Sequence, residues 1–381
     1  MVSTPTGEET LQERARRIAG ASLRPRAAAV DRERRYPEEN LRALGEAGLM
    51  GLLAPPRFGG LGGTLGDLAA VCEELGAACA STAMCFLMHA CGCALIAARA
   101  TPEQGERWLR PAARGELIAT LAFSERGTGA HFYQPEIQAV RRDGGFSLSG
   151  RKSFTTSAGH AGLYPVLVRA SGQPGLDILI VTPDLDGVAF DGSWDGIGMA
   201  GNASIAVVLN DVQVPAANLL GEEGAGQELV FDVVAPTFLI GLAAVNTGIA
   251  QAALDEAAEH ARTRTYPDGR PLAALQLIQS YLAEMSTATQ AARLLVREAA
   301  RAADAGEAGA LPLVMQAKVA ATEAAQAVTA QAMQVGGGIA FSRQLPLERY
   351  LRDARAGSVM APTNEVLKEW LGKLLTGQPL F

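Results

Sequence analysis

Apolar positions change their spacing twice along this chain. Up to about residue 117 they recur at helical intervals. Pro37 follows Tyr36 at a helix start, and Leu41 and Leu44 then fall on one face. Thr64 with Asp67 three residues on opens a second helix, and Cys72 and Cys79 share its stripe with Leu65, Leu68 and Leu75. Thr101-Pro102-Glu103-Gln104 has cap, first-turn proline and capping-box glutamine in order. From Leu117 to about Gly221 the apolar runs are short, β-branched and split by Gly, Pro and Asp. Runs 117–123, 164–170, 176–182 and 204–214 are predicted strands, and their turn-rich spacing predicts a mainly antiparallel barrel or sandwich. After Gly226 helical spacing returns, from Pro236 to Arg264, Pro271 to Ala305, Pro312 to Val335 and Asn364 to Leu375. Helix, sheet, helix predicts a segregated α+β fold, with domains at 1–117, 118–225 and 226–381. A doubly wound sheet would need strands and helices to alternate.

Composition narrows the picture. Of 381 residues 48% are hydrophobic and 19% charged, which favours collapse over disorder. Aromatics are only 5%, and alanine dominates the segment from Leu242 to Ala332, so close-packed helices with apolar surface left for a partner subunit are expected. A formal net charge of −7 argues against a general nucleic-acid binder. The most apolar stretch, Ala83 to Ala98, is short for a bilayer and carries His89. The first residues mix Glu8, Glu9 and Glu13 with arginines, which does not read as a secretory signal. A soluble, cytoplasmic protein with no membrane span is the expectation. Cys72, Cys79, Cys85, Cys91 and Cys93 crowd one window around His89, without a C-x₂-C pair. Buried thiols in a helical core account for them better than a metal site or disulfides.

Four segments could carry chemistry. Phe123-Ser-Glu-Arg-Gly-Thr-Gly-Ala130 follows a predicted strand, and Gly127 and Gly129 would let backbone N–H groups approach an anion. Alone it could equally be a turn. Gly150-Arg-Lys-Ser-Phe-Thr-Thr-Ser157 sets an aromatic beside hydroxyls, or is an ordinary exposed strand. Gln334-Val-Gly-Gly-Gly338 could be a glycine helix cap, and Leu347 to Arg355 a charged helix with local ion pairs.

Taken in order, these segments resemble the acyl-CoA dehydrogenase family of flavoproteins over nearly the whole chain. Gly48-Leu-Met-Gly-Leu-Leu-Ala-Pro-Pro-Arg-Phe-Gly-Gly60 looks like the family's N-domain loop. Ser124 to Ala130 resembles its Thr-Glu-Pro-x-Ala-Gly-Ser loop, and Lys152-Ser-Phe-Thr-Thr-Ser157 its Lys-x-Trp-Ile-Thr-Asn motif. Asn210 to Pro215, Leu219 to Gly226, Gln334 to Gly338, Glu348 to Arg355 and Thr363-Asn-Glu365 continue the pattern. The resemblance implies a helical N-terminal domain, a central antiparallel β-barrel and a C-terminal four-helix bundle. It implies FAD between barrel and bundle, an acyl thioester or related small molecule as substrate, and a homotetramer. An electron-transfer flavoprotein or a flavin reductase would be the redox partner. Carried over by position, Phe123 and Ser124 would meet the flavin ring, Phe154 would flank it and Thr156 would hydrogen-bond near its N5. Gly129 and Ala130 match the pyrophosphate loop. Arg264, Gln276, Gln334, Gly337 and Gly338 would serve the adenine-diphosphate half, partly across a subunit interface, with Thr363 and Glu365 also on the cofactor.

The pattern breaks where the family keeps its base. That base is a carboxylate, which removes the α-proton while the β-hydrogen leaves as hydride. One family position is occupied here by Ala361 and the other by Phe238, with Thr237 beside it. The arginine common on that helix is matched by Leu239, and Ala130 replaces the serine of the pyrophosphate loop. Tyr266-Pro-Asp-Gly-Arg270 stands where the family has a compact Phe-Gly-Lys. Glu365 and His131 are the candidate replacement bases, with His160 and Glu125 behind them, while Asp353 and Arg355 read as structural. Three functions are therefore open. The first is α,β-desaturation with a non-standard base. The second is a monooxygenase of the same fold using a C4a-peroxyflavin, for which an apolar pocket around Ala361, Phe238 and Leu239 would suit. The third is a non-catalytic flavin- or acyl-binding subunit.

Overall fold

A computed structural model describes residues 9–172 and 174–380. Five principal helices build the N-terminal block: α1 (Leu11–Ile18), α2 (Arg24–Arg32), α3 (Glu38–Glu46), α4 (Leu65–Ala78) and α5 (Ala80–Arg99). Short α6 (Pro102–Gln104) and α7 (Arg110–Ala113) end it. The capping boxes expected at Thr64/Asp67 and Thr101/Gln104 are both formed. All five cysteines are free, buried thiols, and burial raises their pKa values.

The middle block holds β1 (Val140–Arg142), β2 (Gly145–Thr155), β3 (Tyr164–Arg169), β4 (Leu176–Val181), β5 (Val188–Asp191) and β6 (Ile205–Pro215). They form two antiparallel sheets, β1-β2-β6-β5 and β3-β4, around one shared apolar core. Register is set by pairs such as Phe146↔Val214 and Val166↔Leu179, whose side chains all enter that core. Isolated bridges, Leu179↔Leu219 and Ala122↔Val166 among them, tie the β3-β4 sheet to the segments around Leu219 and Ala122 that lie outside the strands. Segment 117–123, expected as a strand, is extended without becoming one. The Ala119 N–H is taken by His89 Nδ1 (3.1 Å), while Thr120 and Ala122 donate to Leu163 and Pro165 (both 3.0 Å), so no continuous ladder forms. Edge strands β1 and β5 escaped sequence analysis because they are too short and too exposed to show an apolar period.

Helices resume with α8 (Gly226–Leu229), α9 (Ala235–Thr263), α10 (Gln276–Asp304), α11 (Ala310–Ala340), α12 (Leu347–Val359) and α13 (Asn364–Thr376). The helix expected from Pro271 begins only at Gln276, after a 3₁₀ turn over Leu272–Ala274. Helices α9, α10, α11 and α12 pack together, and α13 lies against α11. This bundle and the N-terminal helices share one core. Two glycines make their closest crossing possible: a Cβ on Gly76 of α4 would lie 2.4 Å from the Val245 carbonyl oxygen, and one on Gly248 of α9 would lie 2.1 Å from that of Glu73. Ala80–Arg99 and Gly226–Thr263 are long and apolar enough, by length and composition, to cross a membrane. Both are mainly buried against protein, as core helices are.

Candidate functional site

The β domain, α5, the start of α9 and the α12–α13 turn enclose a cavity of about 620 Å³. That is within the range of small-molecule and cofactor sites. One wall is the loop after segment 117–123 together with the end of β2. A bulge between Lys152 and Thr155 makes this wall: Lys152 turns into the β core, while Phe154, at φ +53°, turns out over the cavity. Phe154 is 71% exposed and meets Trp194 edge-on, at 6.5 Å between ring centroids. Thr156 Oγ1 lies 3.0 Å from Ser204 Oγ at the same wall. Lys152 fastens the loop from inside, donating to the Phe123 carbonyl (3.1 Å), to Glu125 Oε1 (2.7 Å) and to the Leu167 carbonyl. Glu125 in turn accepts from the Glu136 N–H (2.7 Å). Burial pulls the Lys152 ammonium down to about 8, against the charge and hydrogen bond of Glu125.

The facing wall is the turn between α12 and α13, with Met360, Ala361, Pro362 and Thr363. Phe238 enters from α9, and Met84 and Met88 from α5. Asp353 on α12 accepts from the Met199 N–H (2.6 Å) and so fixes another lining residue; burial pushes its carboxyl up to about 6. The structural reading of Asp353 thus stands. Arg355 reaches Gln326 Oε1 at 2.5 Å.

The structure gathers Phe123, Ser124, Gly129, Ala130, Phe154, Thr156 and Thr363 around this cavity, along with Ala361 and Phe238, the two positions where a base is expected. It does not gather Arg264, Gln276, Gln334, Gly337 and Gly338, which are exposed at the ends of α9, α10 and α11. Leu239, expected in the pocket, is instead buried in the helical core, because adjacent helix residues point about 100° apart. Thr237 donates back to the Val233 carbonyl (2.7 Å). None of the candidate replacement bases is available. Glu365 faces a separate polar pocket of about 300 Å³ with Glu323, Gln326 and Arg355. His131 is exposed and pairs with the Tyr133 hydroxyl at 3.1 Å. His160 stacks on Tyr36 at 3.9 Å. Glu125 borders the cavity but is locked to Lys152. Among the described residues, then, no free carboxylate lines the cavity.

Sequence reasoning gave no role to Trp194, Asn202 or Arg126, which line it too. Arg126 is exposed, with no ion pair or hydrogen bond among the described residues. Both polar side-chain atoms of Asn202 are buried without a partner. An uncovered aromatic face, paired hydroxyls and unspent polar groups fit a flat ring with a polar edge and an anionic tail, as a flavin nucleotide has.

Known proteins agree with this geometry. The chain matches the family models for acyl-CoA dehydrogenase N-terminal domain over residues 5–116, middle domain over 120–212 and C-terminal domain over 240–376. It is 33% identical over 370 residues to the acryloyl-CoA reductase (NADH) of Anaerotignum propionicum, covering 95% of this chain and 92% of that one. It is 34% identical over 369 residues to the mitochondrial short-chain specific acyl-CoA dehydrogenase of Bos taurus, covering 96% and 89%. The structure of butyryl-CoA dehydrogenase from Megasphaera elsdenii superposes with a TM-score of 0.91 at 28% identity, covering 98% and 100%. These relatives are named for acyl-CoA chemistry, which favours the dehydrogenase reading over the monooxygenase one. With all three domain models matched in order across a fold that superposes end to end, the chain belongs to the acyl-CoA dehydrogenase family of FAD-dependent oxidoreductases.

Proposed function

We propose that this chain oxidises an acyl-CoA thioester at its α,β-bond, in the cavity between Phe154 and the α12–α13 turn, without a carboxylate base of its own in that cavity. The observation that supports this reading is an aromatic, hydroxyl-bearing wall set opposite a wall without a carboxylate. FAD, when bound, supplies the hydride acceptor. The chain supplies the surroundings. Phe154 and Trp194 offer aromatic surface to the ring, and Thr156 with Ser204 offers hydroxyls to its edge. Met84, Met88, Leu121 and Phe238 give an apolar seat for a short acyl chain. With Ala361 and Phe238 at the positions where a base is expected, the α-proton passes to solvent water as the β-hydrogen leaves as hydride to FAD, so proton removal limits the reaction.

The test is an anaerobic absorbance titration of the purified protein with butyryl-CoA. Slow bleaching of bound flavin is expected, and Ala361→Glu is expected to accelerate it by roughly 10²- to 10⁴-fold, the usual worth of a positioned general base. A protein that binds FAD but shows no spectral response to any acyl-CoA would sink the reading.

What one chain leaves unused supports a larger assembly. Arg264, Gln276, Gln334, Gly337 and Gly338 lie outside the cavity and exposed, and large apolar side chains on the bundle, among them Leu277, Leu294, Phe341 and Leu375, are also uncovered. A cytoplasmic homotetramer places the adenine half of FAD against a second copy's bundle ends and hands electrons to an electron-transfer flavoprotein or a flavin reductase. Light scattering of the flavin-loaded protein at four times 39.7 kDa would support this, and a monomer would overturn it.

A further inference from the structure

Behind the cavity wall that carries Ala361 sits a lysine that makes no ion pair among the described residues. Lys318, on α11, is fully buried. Its ammonium donates to Asn364 Oδ1 (2.9 Å), to the Pro362 carbonyl (3.0 Å) and, at 3.5 Å, to the Met360 carbonyl. These are three acceptors for three N–H bonds, and they come from alternate residues of one turn. The residues Met360 to Thr363 of that turn form the cavity wall. Thr322, one helical turn along α11, completes the hold. Its hydroxyl lies 3.1 Å from Asn364 Oδ1, and Asn364 Nδ2 lies 3.0 Å from it in return. Met360 is the C-cap of α12, so the ammonium also sits where a helix C-terminus favours positive charge.

We propose that Lys318 is a positioning residue, whose ammonium fixes the α12–α13 turn as the wall of the acyl-binding cavity and releases it on losing its proton. The inference rests on the acyl-CoA reading above for its functional consequence, but the clamp itself is a property of the chain. A neutral amine has only two N–H bonds for three carbonyl-type oxygens and sets its lone pair against them, so the turn loosens. The switch falls in an accessible range: burial pulls the ammonium down to about 7, with the Glu365 carboxylate of α13 pulling the other way. Arg355 of α12 and Glu323 of α11 line the polar pocket beyond Asn364 with Glu365. Lys368 of α13 is turned outward to Glu323. From α9 and α10 no ion pair to Lys318 is present among the described residues; α9 presents the neutral Asn246 to the neighbouring Gly357.

The test compares the flavin-loaded wild type with Lys318→Met and Asn364→Asp. Hydrogen exchange at residues 360–367, corrected for intrinsic rates, is measured at pH 6 and pH 8.5. Binding of crotonyl-CoA is read from its perturbation of the flavin spectrum, which needs no turnover. The wild type is expected to lose protection in this segment as pH rises through about 7, while Lys318→Met has low protection at both values and binds crotonyl-CoA on the order of tenfold more weakly, the effect of one lost net hydrogen bond to a charge. Asn364→Asp places an anion on the ammonium and moves the wild-type transition to higher pH, a shift that a merely structural contact would not produce. Unchanged protection in Lys318→Met, or an unshifted transition in Asn364→Asp, overturns the clamp. A wild type whose flavin does not respond to crotonyl-CoA overturns the functional reading instead, and the exchange data still decide the clamp.

Discussion

Replacing Glu125 by Gln removes one charge from a buried pair and leaves its partner in place. Lys152 is wholly buried, and among the described residues its one ion-pair partner is Glu125, 2.7 Å away. Its folded value near 8, below the roughly 10.4 of an unfolded lysine, already amounts to about 3 kcal/mol of burial cost at neutral pH. Without the carboxylate that cost grows, and breaking a buried pair from one side typically destabilises by about 3–5 kcal/mol. At about 2 °C per kcal/mol for a chain larger than a small domain, Glu125→Gln should melt roughly 6–10 °C below the wild type. The sign with pH is fixed. A lysine whose folded pKa is depressed costs nothing above its unfolded value, progressively more as pH falls towards the folded value, and a constant amount below it. Removing Glu125, which raises the folded value, lowers that value further, so the extra cost develops as pH falls below about 8. The deficit of the variant should therefore be largest near pH 6 and shrink above pH 8. The same lysine holds the Phe123 carbonyl, so flavin retention should fall along with the melting temperature. Calorimetric scans at several pH values, with the ratio of flavin to protein absorbance read alongside, make the measurement. Glu125→Gln combined with Lys152→Met removes both charges and should melt above the Glu125→Gln single variant. A pH-independent deficit, or a double variant whose loss equals the sum of the singles, would refute the reasoning.

Three further expectations rest on other parts of the structure. His89 accepts the Ala119 N–H at Nδ1 and faces the Met50 carbonyl with Nε2 (3.0 Å), so it is held neutral with its proton on Nε2, and burial lowers its pKa to about 4. About 3 kcal/mol of stability should be lost as pH falls from 6.5 to 4, and acid melting curves of His89→Gln should lack that component. Asp353→Asn keeps an oxygen for the Met199 N–H and removes a buried charge whose pKa is raised to about 6, so it should melt at or above the wild type at pH 8, and a large fall there would contradict the burial argument. Phe154→Ala deletes a ring that is 71% exposed, so melting of the flavin-free protein should move by less than about 1 kcal/mol, while flavin affinity measured by ultrafiltration drops by on the order of tenfold, the worth of an aromatic contact.

What the sequence reveals here follows how locally each feature is determined. Thr64 with Asp67 and Thr101 with Gln104 announce their helices because a capping box closes within four residues. Segment 117–123 has the composition of a strand, but its amides are divided between His89 and β3, and no local signal reports a helix side chain taking an amide 30 residues away. Helix α9 is apolar nearly all round, being buried on every face between Leu239 and Ala250, so its pattern cannot say that Phe238 faces the cavity and Leu239 the core. For the same reason the motifs could point to Ala361 as the position expected for a base but could not say whether another acid stands in for it. Ala361 marks a position by its place in Ala-Pro-Thr-Asn-Glu. Whether another acid compensates depends on every element that reaches the cavity, from Met84 on α5 to Thr363 on α13. Packing answers that question: Glu365 faces another pocket, His131 and His160 pair elsewhere, and Glu125 is neutralised by Lys152. The carboxylate that remains near the cavity thus holds its wall in shape, and a substitution meant to supply a base begins from Ala361 rather than from any acid already present.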